Sequence, residues 1–387
     1  MSDTDAMTPA ERYCRVCGGT LPDACLLRFA NMPAAAQFLP DAAGLDQDRG
    51  VDLEIYQCPG CGLVQSGNEP VPYYREVVRA AAFSEEMKAF RRRQFAEFAG
   101  KYGLAGKRVI EIGCGRGEYL ALLREAGMAA DGLEYAESAV RHCLELGLPA
   151  QRGYVDRPDT ALAGAPFDAF VVLNFLEHWP DPNAGLRGIA NNLAEAGLGL
   201  VEVPNFDMIL DKSLFTEFIS DHLFYFTRET LETTLRLNGF EVLECNAVWY
   251  GYILSAVVRK RPACDVSAFD GRHRQLKLEV DAFLRRHDQG GVAIWGAGHQ
   301  ALATIALLDL AEGVRYVVDS APFKQNRYTA ASHIAIVAPE RLQADPVEAV
   351  IVMAASYSDE VARIVRERFP LVEHVAILRD YGLELVP

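Results

Sequence analysis

Residues Lys107–Leu120, reading KRVIEIGCGRGEYL, constrain this chain more than any other stretch. The β-branched run Val109, Ile110 and Ile112 predicts a short strand. Gly113, Gly115 and Gly117 predict a tight turn, and an apolar helix follows. Glycines let the backbone approach a ligand closely, and a helix N-terminus adds N–H donors. Glu111 stands two residues before the first glycine. A carboxylate there repels a pyrophosphate, which disfavours a dinucleotide, but it can answer a cation or an amino group. A second predicted strand, Ala129–Glu134, ends in a carboxylate seventeen residues past Gly117. A carboxylate at that place can accept both hydroxyls of a ribose.

The first seventy residues carry a different signal. Cys14-Arg15-Val16-Cys17-Gly18 and Cys58-Pro59-Gly60-Cys61-Gly62 are two knuckles of one form. Each puts two sulfurs on a tight turn. Together Cys14, Cys17, Cys58 and Cys61 match a tetrahedral structural zinc site with no position left open for water. A hairpin or loop around Met32–Pro40 should fill the gap between them. A segment so poor in apolar residues is expected to need its metal to fold. Cys25, Cys114, Cys143, Cys245 and Cys264 lack ligand spacing.

Between these segments, residues 77–103 read as helical. Phe83, Met87, Phe90, Phe95 and Phe98 fall near 3.6 spacing, and Arg91-Arg92-Arg93 between them reads as a solvated face, with a phosphate-binding edge as the sharper alternative. Downstream, Phe167–Asn174 and Gly199–Pro204 read as strands, separated by Leu176-Glu177-His178-Trp179-Pro180. The last part opens with another strand, glycine turn and helix at Val292–Gln300. Further strands follow around Val314–Asp319, Ile334–Pro339 and Ala349–Ala355. Such alternation predicts a second, smaller parallel α/β layer.

The chain has 387 residues, half of them hydrophobic, and a net charge of −15. That length suits two or three domains and that composition a folded protein. The negative field disfavours nucleic acid. Only Arg12, Arg15, Arg28, Arg49 and Arg75 are basic within residues 1–75, too few for a phosphate stripe along the cysteine segment. Gly290–Leu308 holds no charged residue, but its glycines, His299 and Gln300 fit a strand, loop and helix better than a membrane span. No leader is evident in Met1–Ala10, so a cytoplasmic protein is expected.

The Glu111 turn and Glu134 together resemble the class I methyltransferases that use S-adenosylmethionine. The whole chain resembles the sugar-nucleotide C-methyltransferases of deoxysugar pathways, on the knuckles, Asp319–Tyr328 and Leu214–Phe226. The resemblance implies a zinc module at 1–72, a class I methyltransferase sheet at 73–262 and a C-terminal Rossmann-like substrate domain at 263–387. It implies that Glu111, Gly113 and Gly115 line the methionine part of the cofactor, that Glu134 holds the ribose and that Tyr135 abuts the adenine. Asn174 would lie near the sulfonium, with Tyr154 and Asp156 as weaker adenine-edge candidates. An acid–His pair before aromatics in that family corresponds to Asp221-His222.

The implied chemistry is removal of a proton beside a ketone, followed by methylation of the enolate. Histidine titrates near neutrality, so His222 is the natural base. Asp221 would fix its tautomer, and His178 would donate to the oxyanion. Arg79, Asn205, Lys324 and Arg327 are assigned to substrate, the last two through a nucleotide diphosphate and its base. Arg79 and Ile219 stand where the family places tyrosines, and Asp221 where it has Glu, which weakens the keto-sugar reading. Methyl transfer to oxygen or nitrogen of another small anionic metabolite is the alternative, and a non-catalytic scaffold the second. The oligomeric state stays open, with a monomer favoured.

Overall fold

The computed structural model describes residues 12–76 and 84–387. The chain forms two compact units, Met1–Pro262 and Ala263–Pro387.

The first unit is built on a seven-stranded sheet. Its order is Phe240–Val248, Ile253–Lys260, Leu193–Pro204, Phe167–Leu173, Arg108–Ile112, Ala129–Glu134 and Ala150–Arg152. Ile253–Lys260 runs antiparallel to both its neighbours, and the other six strands point the same way. The two central parallel strands, Arg108–Ile112 and Phe167–Leu173, are mostly apolar and buried, as a sheet covered on both faces requires. From Arg108–Ile112 the chain first builds outward on one side, to Ala129–Glu134 and Ala150–Arg152, and then crosses to the other side with Phe167–Leu173. The crevice beyond the carboxyl ends of Arg108–Ile112 and Phe167–Leu173 is therefore the topological switch point, where open α/β sheets bind ligands. The residues that follow those two strands are Gly113 and Asn174.

A smaller antiparallel sheet joins Leu27–Met32, Val51–Gln57 and Val64–Ser66 to a two-residue strand, Phe224–Tyr225, from far along the chain. The cysteine segment is thus not a free-standing bead. Cys14, Val16, Cys58 and Leu63 share a core with Trp179, Leu223 and Phe226. Arg15 donates to the Pro180 carbonyl at 3.3 Å, and Asn183 donates to the Val16 carbonyl at 2.8 Å.

The expected helix of residues 77–103 runs from Glu85 to Tyr102. Ser84 caps its start by accepting from the Met87 amide, and Gly103 ends it at φ +65°. Phe83 and Arg79 lie outside the described residues. Met87, Phe95 and Phe98 face the interior as expected, but the arginine run departs from a solvated face. Arg91 is fully buried; it pairs with the equally buried Glu202 and lies 4.9 Å from the centre of the Tyr119 ring. Gln94 donates to the other Glu202 oxygen and to Ser255. Arg92 pairs with Glu125 at the surface. Arg91→Ala strands a buried carboxylate, so we expect a loss of about 3–5 kcal/mol in denaturant unfolding. Arg91→Met combined with Glu202→Leu should recover most of it.

The second unit is also a seven-stranded sheet, ordered Arg327–Tyr328, Ala335–Val337, Tyr316–Val318, Val292–Trp295, Ala349–Val352, His374–Leu378 and Leu383–Val386. The five inner strands are parallel, and both edges are antiparallel. The uncharged stretch from Gly290 to Leu308 divides into a strand, a turn and the helix His299–Leu307. Among the described residues no helix is long and apolar enough to cross a membrane.

Candidate active site

The glycine turn after Arg108–Ile112 has positive φ at Gly113, Gly115 and Gly117. At Gly115, with φ +55°, nothing lies within 4 Å of where a Cβ would stand. Glycine is needed there for conformation, and the space beside it is open. At Gly113 a Cβ would come within 2.7 Å of the Phe175 ring. Glu111 is buried in the strand. Glu134, at the tip of the neighbouring strand, accepts from the amides of Gly115 and Ala136, each at 2.9 Å. One oxygen bonds each amide, so each keeps acceptor capacity.

Tyr135 packs edge-on to Tyr154, 6.3 Å away, and Tyr154 continues to Phe175 and Trp179. Arg75, with no assigned role in the sequence reading, lies over Tyr74, Tyr135 and Tyr154 and pairs with Asp156 at 2.9 Å. All the adenine-edge candidates therefore meet on one cation. At the end of the fourth strand Asn174 takes φ +49°, and its side-chain oxygen is buried without a partner among the described residues. An orphaned acceptor, an open glycine and a carboxylate at the strand tip suit a ligand with a charged amino-acid end and a ribose, as S-adenosylmethionine has.

The Leu176–His178 turn and the loop before Phe224 bring His178 and His222 together, ring centres 4.9 Å apart. Two hydrogen bonds tie these segments. His178 Nδ1 lies 2.8 Å from the Asp221 carbonyl, and the Leu223 amide donates to the Glu177 carbonyl at 2.8 Å. A carbonyl only accepts, so His178 carries its proton on Nδ1 and presents a bare Nε2 in the neutral form. Burial lowers the His178 pKa, and burial with the neighbouring His178 holds His222 well below its usual value.

These contacts revise two expected roles. The Asp221 carboxylate does not serve as the orienting group of His222: it accepts from the Tyr73 hydroxyl at 2.9 Å and the Ala36 amide at 3.1 Å. The residue orients His178 instead, through its main chain. His178 as an oxyanion donor would need the imidazolium, which burial opposes. Tyr73, which sequence reasoning missed, meets Asp221 here. Its hydroxyl pKa is pushed up to about 12, by burial first and Asp221 second. Only the packing of the cysteine segment brings it within reach of Asp221.

Asn205 is likewise spoken for. Its carbonyl oxygen caps the helix Phe206–Asp211 through the Asp207 amide, and its NH₂ donates to the Gly251 carbonyl at 2.7 Å. It caps the helix, with one N–H and one oxygen lone pair of the amide remaining. In the second unit Lys324 is paired with Asp319 at 2.9 Å, so its charge is met locally; Arg327 stands exposed on an edge strand.

Glu177 is buried beside the histidines, its Oε1 3.9 Å from His178 Nε2. That is too long for a hydrogen bond. Burial pushes its pKa up to about 8. The folded protein therefore holds a proton that the unfolded chain releases above its ordinary pKa near 4.5. Stability falls as pH rises from that value towards 8. Glu177→Gln should raise stability at pH 7 by on the order of 3 kcal/mol and change it little at pH 4. Melting curves at the two pH values check this.

The four knuckle sulfurs lie within 4.8 Å of one another, with Cys14–Cys61 at 3.6 Å and Cys17–Cys58 at 3.5 Å. Sulfurs at about 2.3 Å from one tetrahedral zinc are about 3.8 Å apart. Gly18 and Gly62 take the positive φ that closes each turn. Burial pushes the Cys14 and Cys61 thiols up, and a bound cation reverses that tendency.

Comparison with known proteins agrees with this layout. Residues 83–245 match a family described as a methyltransferase domain, and residues 263–369 match a C-methyltransferase C-terminal domain. The C-methyltransferase NovU of Streptomyces niveus is 24% identical over 394 residues, covering 92% of each chain. The ubiquinone biosynthesis O-methyltransferase of Ralstonia nicotianae is 34% identical over 101 residues, covering 24% of this chain and 42% of that protein. The structure of magnesium protoporphyrin IX methyltransferase from Synechocystis aligns over 49% of this chain with a TM-score of 0.38 and 15% identity. With its glycine turn at the switch point and its methyltransferase-domain match, the chain is an S-adenosylmethionine-dependent methyltransferase of class I fold.

Proposed function

We propose that this enzyme methylates a carbon next to a ketone in a nucleotide-activated sugar. The observation that carries the reading is the pair His178 and His222, neutral and in ring contact, held by main-chain hydrogen bonds beside the switch point. S-adenosylmethionine supplies an electrophilic methyl group. Glu111, Gly113, Gly115 and Asn174 would flank its amino-acid part, with Glu134 on the ribose hydroxyls and Tyr135 and Asp156 along the adenine. His222 would take the proton from the carbon α to the ketone and keep it; the enolate would form the new C–C bond as the methyl–sulfur bond of the donor breaks and S-adenosylhomocysteine leaves. A depressed pKa keeps His222 unprotonated and ready at neutral pH. His178 positions the loop and offers Nε2 as an acceptor.

A carbon acceptor is supported by the match of residues 263–369 and by the name of the Streptomyces relative. Arg327 remains a cation proposed for the nucleotide; Arg79 stays assigned to the substrate, as a donor to the keto group or a partner of an acidic group. Zinc on Cys14, Cys17, Cys58 and Cys61 is proposed as structural, on the strength of the sulfur spacing.

The test uses a nucleoside-diphosphate keto sugar in deuterated water. With S-adenosylhomocysteine in place of the donor, wild-type enzyme should exchange the α-proton, as followed by NMR. Absence of exchange, with the methyl found on oxygen or nitrogen in the complete reaction, sinks the enolate route.

A further inference from the structure

The second unit carries a cluster that the methyl-transfer reading does not use. His287 follows the helix Ser267–Arg286, Glu348 precedes the strand Ala349–Val352, and His374 opens the strand His374–Leu378. The three meet at the amino ends of the parallel strands. That is the end of the sheet opposite the Gly296 turn, so the cluster is separate from the crevice where a Rossmann-like sheet binds nucleotides.

Their ligating atoms all lie within 4.8 Å of one another. The rings of His287 and His374 are 4.5 Å apart, and His287 Nδ1 lies 2.5 Å from Glu348 Oε1. Main-chain bonds hold all three in place. The Glu348 amide donates to the carbonyls of Gly290 and Gly291 at 3.2 and 3.1 Å. The Gly291 amide donates to the His287 carbonyl at 2.9 Å, and the His374 amide to the Glu348 carbonyl at 3.1 Å. A Cβ at Gly290 would stand 2.4 Å from the Glu348 side chain, so a glycine there lets the loop close down on it. His287 is buried while His374 is exposed, which leaves one side of the cluster open to water.

We propose that His287, Glu348 and His374 form a binding site for a first-row divalent transition-metal ion. Two imidazole nitrogens and one carboxylate oxygen are the ligand set that zinc, nickel and cobalt take, and a solvent-facing position leaves room for a water ligand. Ligand atoms around one such ion, each about 2.1 Å from it, lie roughly 3–3.6 Å apart. Reaching that geometry takes a slight opening of the His287–Glu348 contact and an inward turn of the exposed His374. The metal would stand between His287 Nδ1 and Glu348 Oε1, which now contact one another directly. It joins the end of one helix to the start of two neighbouring strands. It is distinct in donor type from the four-sulfur cluster, because nitrogen and oxygen donors replace thiolates.

Nickel is the probe, added to full-length protein that keeps its metal as purified. Equilibrium dialysis with elemental analysis should find one bound nickel per wild-type chain. His374→Ala and Glu348→Gln should each weaken that binding at least tenfold, while the zinc content and the melting temperature before nickel is added stay the same. Nickel should raise the melting temperature of wild type and leave that of His374→Ala unmoved. His222→Ala should bind nickel like wild type. No nickel bound to wild type, binding unchanged in both His374→Ala and Glu348→Gln, or loss of binding in His222→Ala would each overturn the proposal; the first would leave a plain His–Glu ion pair.

Discussion

His222→Ala is expected to lower kcat by about 10²- to 10⁴-fold, the contribution of a positioned general base. Affinity for S-adenosylmethionine, measured by titration calorimetry, should stay at the wild-type value, since the glycine turn and Glu134 belong to other strands. Substrate-proton exchange in deuterated water should disappear with turnover. In the wild type, the acid limb of kcat/KM should lie below pH 6.5, because His222 sits against His178 in a desolvated pair that resists protonation. A variant that keeps exchange but loses methyl transfer would move the base to another group. An acid limb above pH 6.5 would contradict the neutral pair.

The double variant Cys58→Ser, Cys61→Ser is expected to lose one zinc per chain, and activity should fall further than cofactor affinity. The reason is mechanical. The strand Val64–Ser66 follows directly from the second knuckle, and it pairs with Phe224–Tyr225. The Ser66 amide also donates to the Leu223 carbonyl at 2.9 Å. His222 therefore hangs on the edge of the sheet that the knuckles organise. Without the metal, the free energy that holds such a segment folded, about 10–16 kcal/mol in small zinc modules, is lost. The cofactor strand belongs to the larger sheet: Val109 packs in a core that holds no knuckle residue, while Ile110 and Ile112 share the other core with Cys14 and Cys58. Elemental analysis, calorimetry and initial rates on the same preparation test the three parts separately. Equal loss of cofactor affinity and rate would show that the larger sheet needs the metal too.

Local chemistry made several features legible in the residues alone. Gly113, Gly115 and Gly117 follow a β-branched run, and only a strand entering a tight turn uses three glycines in that way. The Cys-x-x-Cys-Gly knuckles announce their shape because each pair of sulfurs is set by a single turn. The uncharged run from Gly290 resolves into strand, turn and helix for the same reason: its glycines act within a few residues of where they stand.

Other features depended on partners far along the chain. Arg91 looked like surface because its neighbours in sequence are arginines, yet Glu202, 111 residues away, draws it into the core. Asp221 promised a carboxylate for His222, but Tyr73 and Ala36 claim that group, and a main-chain carbonyl does the orienting of His178. Asn205 and Lys324 are each engaged by a partner that spacing did not announce, the helix start at Asp207 and the Asp319 carboxylate.

The amino-acid pattern on its own thus determined the α/β architecture, the cofactor turn and the four-sulfur cluster, since each is written within one turn of chain or in the alternation of strand and helix. Tertiary structure alone decided which atom of Asp221 meets a histidine, that the cysteine segment supports the His222 loop, and that His287, Glu348 and His374 converge. Hydrogen bonds and burial act between groups that only folding brings within a few ångströms, and no spacing along the chain encodes them.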